Sequence, residues 1–206
     1  MPQHLSYLKE TTSQTAGPYV HIGLAPKAAG FEIYQKELGE NIAGSKAEGE
    51  QIRVEGYIID GTGTTLKDAL IEVWQANAEG IYAHSEGGGE VEDGFRGWGR
   101  VITNFKTGKW GFNTIKPGST LARNSGMQAP HINLWLVARG INIGLNTRIY
   151  FDDEVRANSI DPVLNLIEWE NRRHTLMAKR STDNDIPIYR FDIRLQGKDE
   201  TVFFDV

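Results

Sequence analysis

The run Gln51-Ile52-Arg53-Val54-Glu55-Gly56-Tyr57-Ile58 alternates apolar and polar side chains with a period of two. Successive side chains of a strand point to opposite faces, so the run predicts a half-buried strand with Ile52, Val54 and Ile58 turned to one side. Asp60-Gly61-Thr62-Gly63 then turns the chain, and Ala69 to Gln75 reads as a second strand through Leu70-Ile71-Glu72-Val73-Trp74. Arg100–Phe105 and Lys109–Ile115 read as a hairpin about Thr107-Gly108, closed by Lys116-Pro117-Gly118. Further strands are expected at His131 to Ala138, Thr147 to Phe151, Ile188 to Leu195 and Thr201 to Phe204.

Helix is expected mainly at Glu168–Arg180, where Trp169, Leu176 and Met177 can share a face and basic residues gather toward the C-terminal end. Asp152-Asp153-Glu154 reads as a cap opening a short helical or irregular stretch. Many short strands with glycine turns and no βαβ rhythm predict a mainly β fold. The expected form is an antiparallel β-sandwich with long loops, an N-terminal arm and one or two short helices. Residues 1–49 carry little periodicity and are expected to form an N-terminal arm and loops; residues 50–206 form the sandwich, in a single domain overall.

The formal charge of −5 and pI near 5.6, with no run of Lys or Arg, argue against a nucleic-acid surface. No apolar stretch approaches bilayer length, and Met1-Pro2-Gln3-His4 is not a signal start, so a cytoplasmic protein is expected. With no cysteine, metal ligands are confined to His, Asp, Glu and Tyr.

The five histidines are at 4, 21, 84, 131 and 174, and no two have metal-ligand spacing. His21 and His174 read as surface or satisfied structural residues. His131 differs, because it follows Ala129-Pro130 and begins a strongly apolar strand beside a loop. Asn133 shares its face, so the pair looks like a His-x-His metal motif with the second histidine missing. The glycine cluster Glu86-Gly87-Gly88-Gly89-Glu90 is not followed by a Lys-Ser/Thr helix start and reads as loop. On these residues alone, three readings stand: a degenerate metal site, a self-sufficient metalloenzyme built on Tyr82, His84, His131 and a carboxylate, or a non-catalytic binding or structural β-sandwich.

Several separated motifs, in order, narrow the choice. Glu72-Val73-Trp74-Gln75-Ala76-Asn77, Gly99-Arg100 through Gly111-Phe112, Thr114-Ile115-Lys116-Pro117-Gly118 and Pro130-His131-Ile132 resemble the intradiol ring-cleavage dioxygenases. Thr15-Ala16-Gly17-Pro18-Tyr19, Ala138-Arg139-Gly140-Ile141-Asn142, Tyr150-Phe151-Asp152-Asp153 and Tyr189 through Arg194 resemble, within that family, the α subunits of members built from two homologous chains.

The resemblance implies dioxygen-dependent cleavage of protocatechuate to 3-carboxy-cis,cis-muconate at ferric iron held by two tyrosinates and two histidines. Matched residue by residue, Tyr82 falls on the first tyrosine and His131 on the first histidine, while Thr120 and Asn133 replace the other two ligands and Gln128 replaces an active-site arginine. The resemblance therefore implies a vestigial, metal-free pocket here and an obligate, homologous β subunit that binds the iron. It further implies a higher oligomer of αβ units, and a substrate-binding wall supplied by Thr15, Ala16, Gly17, Pro18, Tyr19 and Arg139. Read without the resemblance, Arg139 is a solvated loop residue between Ala138 and Gly140.

Overall fold

The computed structural model describes residues 14–35, 39, 41–44, 46–122, 126–181 and 186–205. His4 and the first thirteen residues of the expected arm lie outside that set.

The chain enters through a short helix, α1 (Pro18–Leu24), with Gly17 as its N-cap and Pro18 in the first turn, where a missing N–H costs nothing. The strands follow as β1 (Gln51–Ile59), β2 (Leu70–Gln75), β3 (Trp98–Ile102) and β4 (Lys109–Ile115). A two-strand ladder comes next, β5 (Thr120–Leu121) with β6 (Met127–Gln128), then β7 (His131–Val137) and β8 (Leu145–Phe151). Two short helices, α2 (Val155–Ile160) and α3 (Glu170–Arg173), precede β9 (Met177–Ser181), β10 (Ile188–Arg190) and β11 (Ile193–Arg194).

The strands join edge to edge in the order β11, β1, β10, β9, β8, β7, β2, β3, with β4 on the other side of β1. Most pairings are antiparallel, but β1 runs parallel to β10 and β11, and β8 parallel to β9. The curled, nearly closed sheet packs its inner faces together. Ile52, Val54 and Ile58 of β1 meet Ile71 and Val73 of β2, Leu134 and Leu136 of β7, and Phe151 of β8, in one buried cluster. The period-two reading of β1 thus corresponds to the observed burial. A smaller cluster of Ala129, Tyr150, Leu164 and Leu176 sits behind the outer face of β8.

Five expectations change. The predicted hairpin is not one, because β3 pairs with β2 whereas β4 pairs with β1. The Asn104–Lys109 turn instead carries the chain across, with Asn104 Oδ1 accepting from the amides of Lys106 and Thr107. The predicted helix at 168–180 shrinks to four residues and a single 3-10 turn at His174–Leu176. The slot between β8 and β10 takes Met177–Ser181 as strand, so backbone pairing overrides local helical propensity.

The predicted strand at 188–195 is split at Phe191-Asp192, where Asp192 Oδ1 accepts the Tyr57 amide and the Phe191 amide donates to Glu55 O. Residues 201–204 make only an isolated bridge, Phe204 to Asn146. Finally, Asp152-Asp153-Glu154 caps nothing with its side chains: Asp153 Oδ2 accepts from Lys116, Arg180 and Tyr189 at 2.9–3.0 Å.

Gly56 marks the place where β1 changes partner from β10 to β11. A Cβ there would lie 1.8 Å from Phe191 O. Gly56→Ala is therefore expected to destabilise the fold by at least the ~1–3 kcal/mol of ordinary overpacking. A chemical-denaturation midpoint equal to that of the unmodified protein would contradict this packing.

Candidate functional site

Two places gather the residues singled out by the sequence, one at each end of β7. The register of β7 between β2 and β8 lines up Trp74, Asn133 and Arg148 across three strands. Cross-strand partners share a face, so these three side chains occupy the outer face of the sheet, away from the main core.

Over that face lies the loop after β2. Asn77 shapes it, its Oδ1 accepting from the amides of Glu79 and Ile81 and its Nδ2 donating to Glu92. The loop lays Tyr82 on the indole of Trp74, with ring centroids 5.6 Å apart and planes 15° from parallel. The Tyr82 hydroxyl then lies 3.2 Å from His131 Nε2 and 3.1 Å from Asn133 Nδ2.

The protons follow from the partners. His131 Nδ1 is 2.8 Å from the carbonyl of Ala129, which can only accept, so Nδ1 carries the hydrogen. Nε2 is then bare and accepts from the Tyr82 O–H, while Asn133 donates to the Tyr82 oxygen. Burial, reinforced by the positive charge of Arg148, lowers the pKa of His131 to about 4. Burial also raises that of Tyr82 above the ordinary phenol value, against the Asn133 hydrogen bond and the Arg148 charge. At neutral pH the pocket holds a neutral imidazole and a neutral phenol.

Thr120 and Tyr82 line one cleft of about 340 Å³. Thr120 is buried, and its Oγ1 has no hydrogen-bond partner. Tyr82, Thr120, His131 and Asn133, distant in sequence, are thus brought to one corner of the fold. Among the described residues, no three His, Asp or Glu side chains come close enough together to hold a metal ion. His84 stays with its own loop, Nδ1 accepting the Glu86 amide.

Sequence reading missed Arg148. It reaches Gln128 Oε1 at 2.6 Å and the Tyr150 hydroxyl at 3.3 Å. The resemblance leaves this pocket without its arginine at position 128; the facing strand supplies a guanidinium instead. Only the β7–β8 register could have shown it.

At the far end of β7, roughly 25 Å away at ~3.3 Å per residue, the chain reaches Ala138-Arg139-Gly140. Thr15 ties the N-terminal segment to this corner: its Oγ1 donates to Ala138 O at 3.2 Å and accepts the Gly140 amide at 2.8 Å. Ala16, Gly17, Pro18, His21, Asp68 and Arg139 line a cleft of about 520 Å³. Arg139 forms an ion pair through Nε with Asp68, yet its side chain stays 70% exposed.

Five of the six expected wall residues therefore cluster here. Tyr19 is the exception, 83% exposed and outside the cleft lining. His21 also departs from the sequence reading. It is buried against Phe105, 5.4 Å between ring centroids, and its Nε2 is unpartnered. Burial lowers its pKa, against the nearby charge of Asp68.

Because His131 binds a proton in the unfolded chain near pH 6.5 but in the fold only near pH 4, the unfolded state takes up more protons between those values. Stability is expected to fall as pH drops through that window, by up to about 3 kcal/mol. His131→Gln should flatten this part of the stability–pH curve; an unchanged slope would contradict the buried neutral imidazole. Thr15→Val should speed amide hydrogen exchange across residues 16–22, and protection equal to the unmodified chain would show that the Thr15 bridge does not hold the segment.

Comparison with known proteins agrees with this architecture. A family model described as dioxygenase matches residues 25–197. The chain is 50% identical over 201 residues to the protocatechuate 3,4-dioxygenase alpha chain of Pseudomonas putida, covering 98% of each. It is 42% identical to the alpha chain of the same name from Burkholderia cepacia, over 98% of this chain and 100% of that one. The beta chain from Burkholderia cepacia is 33% identical over 161 residues, 74% of this chain and 67% of its own. Among solved structures, an intradiol ring-cleavage dioxygenase from Tetranychus urticae superimposes with a TM-score of 0.56 at 17% identity, covering 79% of this chain and 88% of that one. These likenesses, with the β-rich sheet and the convergence of Tyr82 and His131, lead to one conclusion: the chain belongs to the dioxygenase family of intradiol ring-cleaving enzymes.

Proposed function

We propose that this chain is the α-type subunit of a protocatechuate 3,4-dioxygenase, holding no iron itself and contributing a wall to the iron site of a homologous β-type subunit. The observation that carries the reading is the Thr15–Arg139 corner. It is a ready-made substrate wall, formed at the surface with a half-free guanidinium, on a chain whose own ligand corner is incomplete.

The residues at that ligand corner do not fit ferric iron. Only Tyr82 and His131 are ligand types, each is engaged with the other, and Asn133 turns an amide N–H toward them where a lone pair is needed. No step of the reaction is therefore assigned to this pocket. Ferric iron held by the partner subunit would supply the ring-opening chemistry, by which the bond between the two hydroxylated carbons would break and take up both atoms of dioxygen to give 3-carboxy-cis,cis-muconate.

This chain's part is binding and orientation. Protocatechuate carries a carboxylate on the side of the ring opposite its hydroxyls, and a guanidinium fork pairs with a carboxylate in two parallel hydrogen bonds. Asp68 engages Arg139 at Nε, and among the described residues no other partner competes for the Nη groups. Ala16, Gly17 and Pro18 present small side chains and backbone beside it, letting an aromatic ring come close. Residues before 50 carry exposed Tyr19, Phe31, Ile33 and Tyr34, the kind of surface an arm buries on a second chain. Several such pairs then assemble into a closed symmetric particle.

The test is steady-state oxygen uptake by the complex of both subunits. Arg139→Ala is expected to raise KM for protocatechuate at least ~10-fold with iron content retained, the scale of one lost charge-assisted contact. If both KM and kcat are unchanged, Arg139 has no place in the wall. A wild-type chain that carries stoichiometric iron with tyrosinate absorbance when purified alone would favour the self-sufficient metalloenzyme reading instead.

A further inference from the structure

Building on the reading that the partner subunit holds the iron, a second question arises at the Tyr82–His131 corner: whether missing ligands alone keep the metal away. Arg148 bears directly on it. Asn133 and Arg148 are paired across β7 and β8, so the guanidinium rises on the same face as the side chain standing where a ligand would be.

We propose that Arg148 excludes ferric iron from this pocket, so that the corner is closed to the metal by charge as well as by its missing ligands.

Three observations support this. The charge is not neutralised locally: among the described residues no carboxylate forms an ion pair with Arg148, whose contacts are Gln128 Oε1, the Tyr150 hydroxyl and the face of Phe204 at 5.9 Å. Asp161, the buried acid of this corner, is already engaged by the amides of Ala129, Val163 and Leu164 at 2.7–2.8 Å and by Tyr150. The cation also belongs to the same corner, since its cross-strand partner Asn133 donates to the Tyr82 hydroxyl at 3.1 Å.

The third observation is the kind of cation. A histidine or lysine beside an incoming metal can shed its proton, but a guanidinium cannot. Any trivalent ion between Tyr82 and His131 would face a fixed like charge in a partly buried site, where screening is weak. Arg148 thus differs from a passive filler of an abandoned pocket.

The test uses the complex with the partner subunit and measures iron per α–β pair, tyrosinate absorbance, and resistance to a competing chelator. In the Thr120→Tyr/Asn133→His chain, which restores the ligand types but keeps Arg148, iron is expected to stay near the wild-type ratio. Adding Arg148→Gln should bring close to one further iron per pair and at least a tenfold gain in retention against the chelator. Arg148→Lys in the same background, whose ammonium can shed its proton beside the metal, should gain less iron than Arg148→Gln at neutral pH and approach it as pH rises. The proposal is overturned if the ligand-restored chain loads a full extra iron with Arg148 in place. It is equally overturned if Arg148→Gln gains none while circular dichroism and complex assembly match the wild type. Iron on the wild-type chain purified alone would instead defeat the underlying reading, and so separates the two failures.

Discussion

The register of one strand governs both ends of this molecule. β7 is held between β2 and β8 by antiparallel ladders that align Trp74, Asn133 and Arg148 in a row. Since side chains alternate, a slip of one residue would send Ile132 and Leu134 out of the core and bury Asn133 in it. The same register fixes where the strand stops. Ala138 lies in the main core, Arg139 emerges from it, and Thr15 can then clasp the backbone on either side of Arg139.

Two different chemistries follow. At the start of the strand, a neutral imidazole, a neutral phenol and an amide close a small hydrogen-bonded circuit beside an unneutralised guanidinium. That circuit has no vacant lone pair aimed at a common centre. At the other end, a guanidinium is held by one carboxylate yet exposed to whatever docks there. The proposed reaction on protocatechuate needs an electron-rich ligand set around a metal and a cation for the substrate's carboxylate. In the proposed division of labour, this chain has given up the first and kept the second.

The strands were legible where one face meets water. β1 and β7 alternate because each is buried on one side only, and their boundaries shift by a residue or less. Partners were less legible. β3 and β4 adjoin in sequence, yet they belong to different parts of the sheet, a choice made by core packing rather than by the turn between them. The end of the 168–180 stretch misled for the opposite reason: from Met177 on, side chains of good helical propensity fill the place between two strands. For the candidate sites, the motifs named Tyr82, His131, Thr15 and Arg139, but Arg148, Asp68 and His21 enter only through register and burial. Nothing local to Leu145–Phe151 announces that Arg148 lies opposite Asn133.

In the proposed complex, iron and substrate wall come from different chains. Anomalous diffraction at the iron absorption edge from crystals of the two-subunit complex with bound protocatechuate tests it most directly. Anomalous density is expected only in the partner subunit, with Arg139 of this chain within hydrogen-bonding distance of the substrate carboxylate. Density between Tyr82 and His131, or an Arg139 turned away from the substrate, would contradict it.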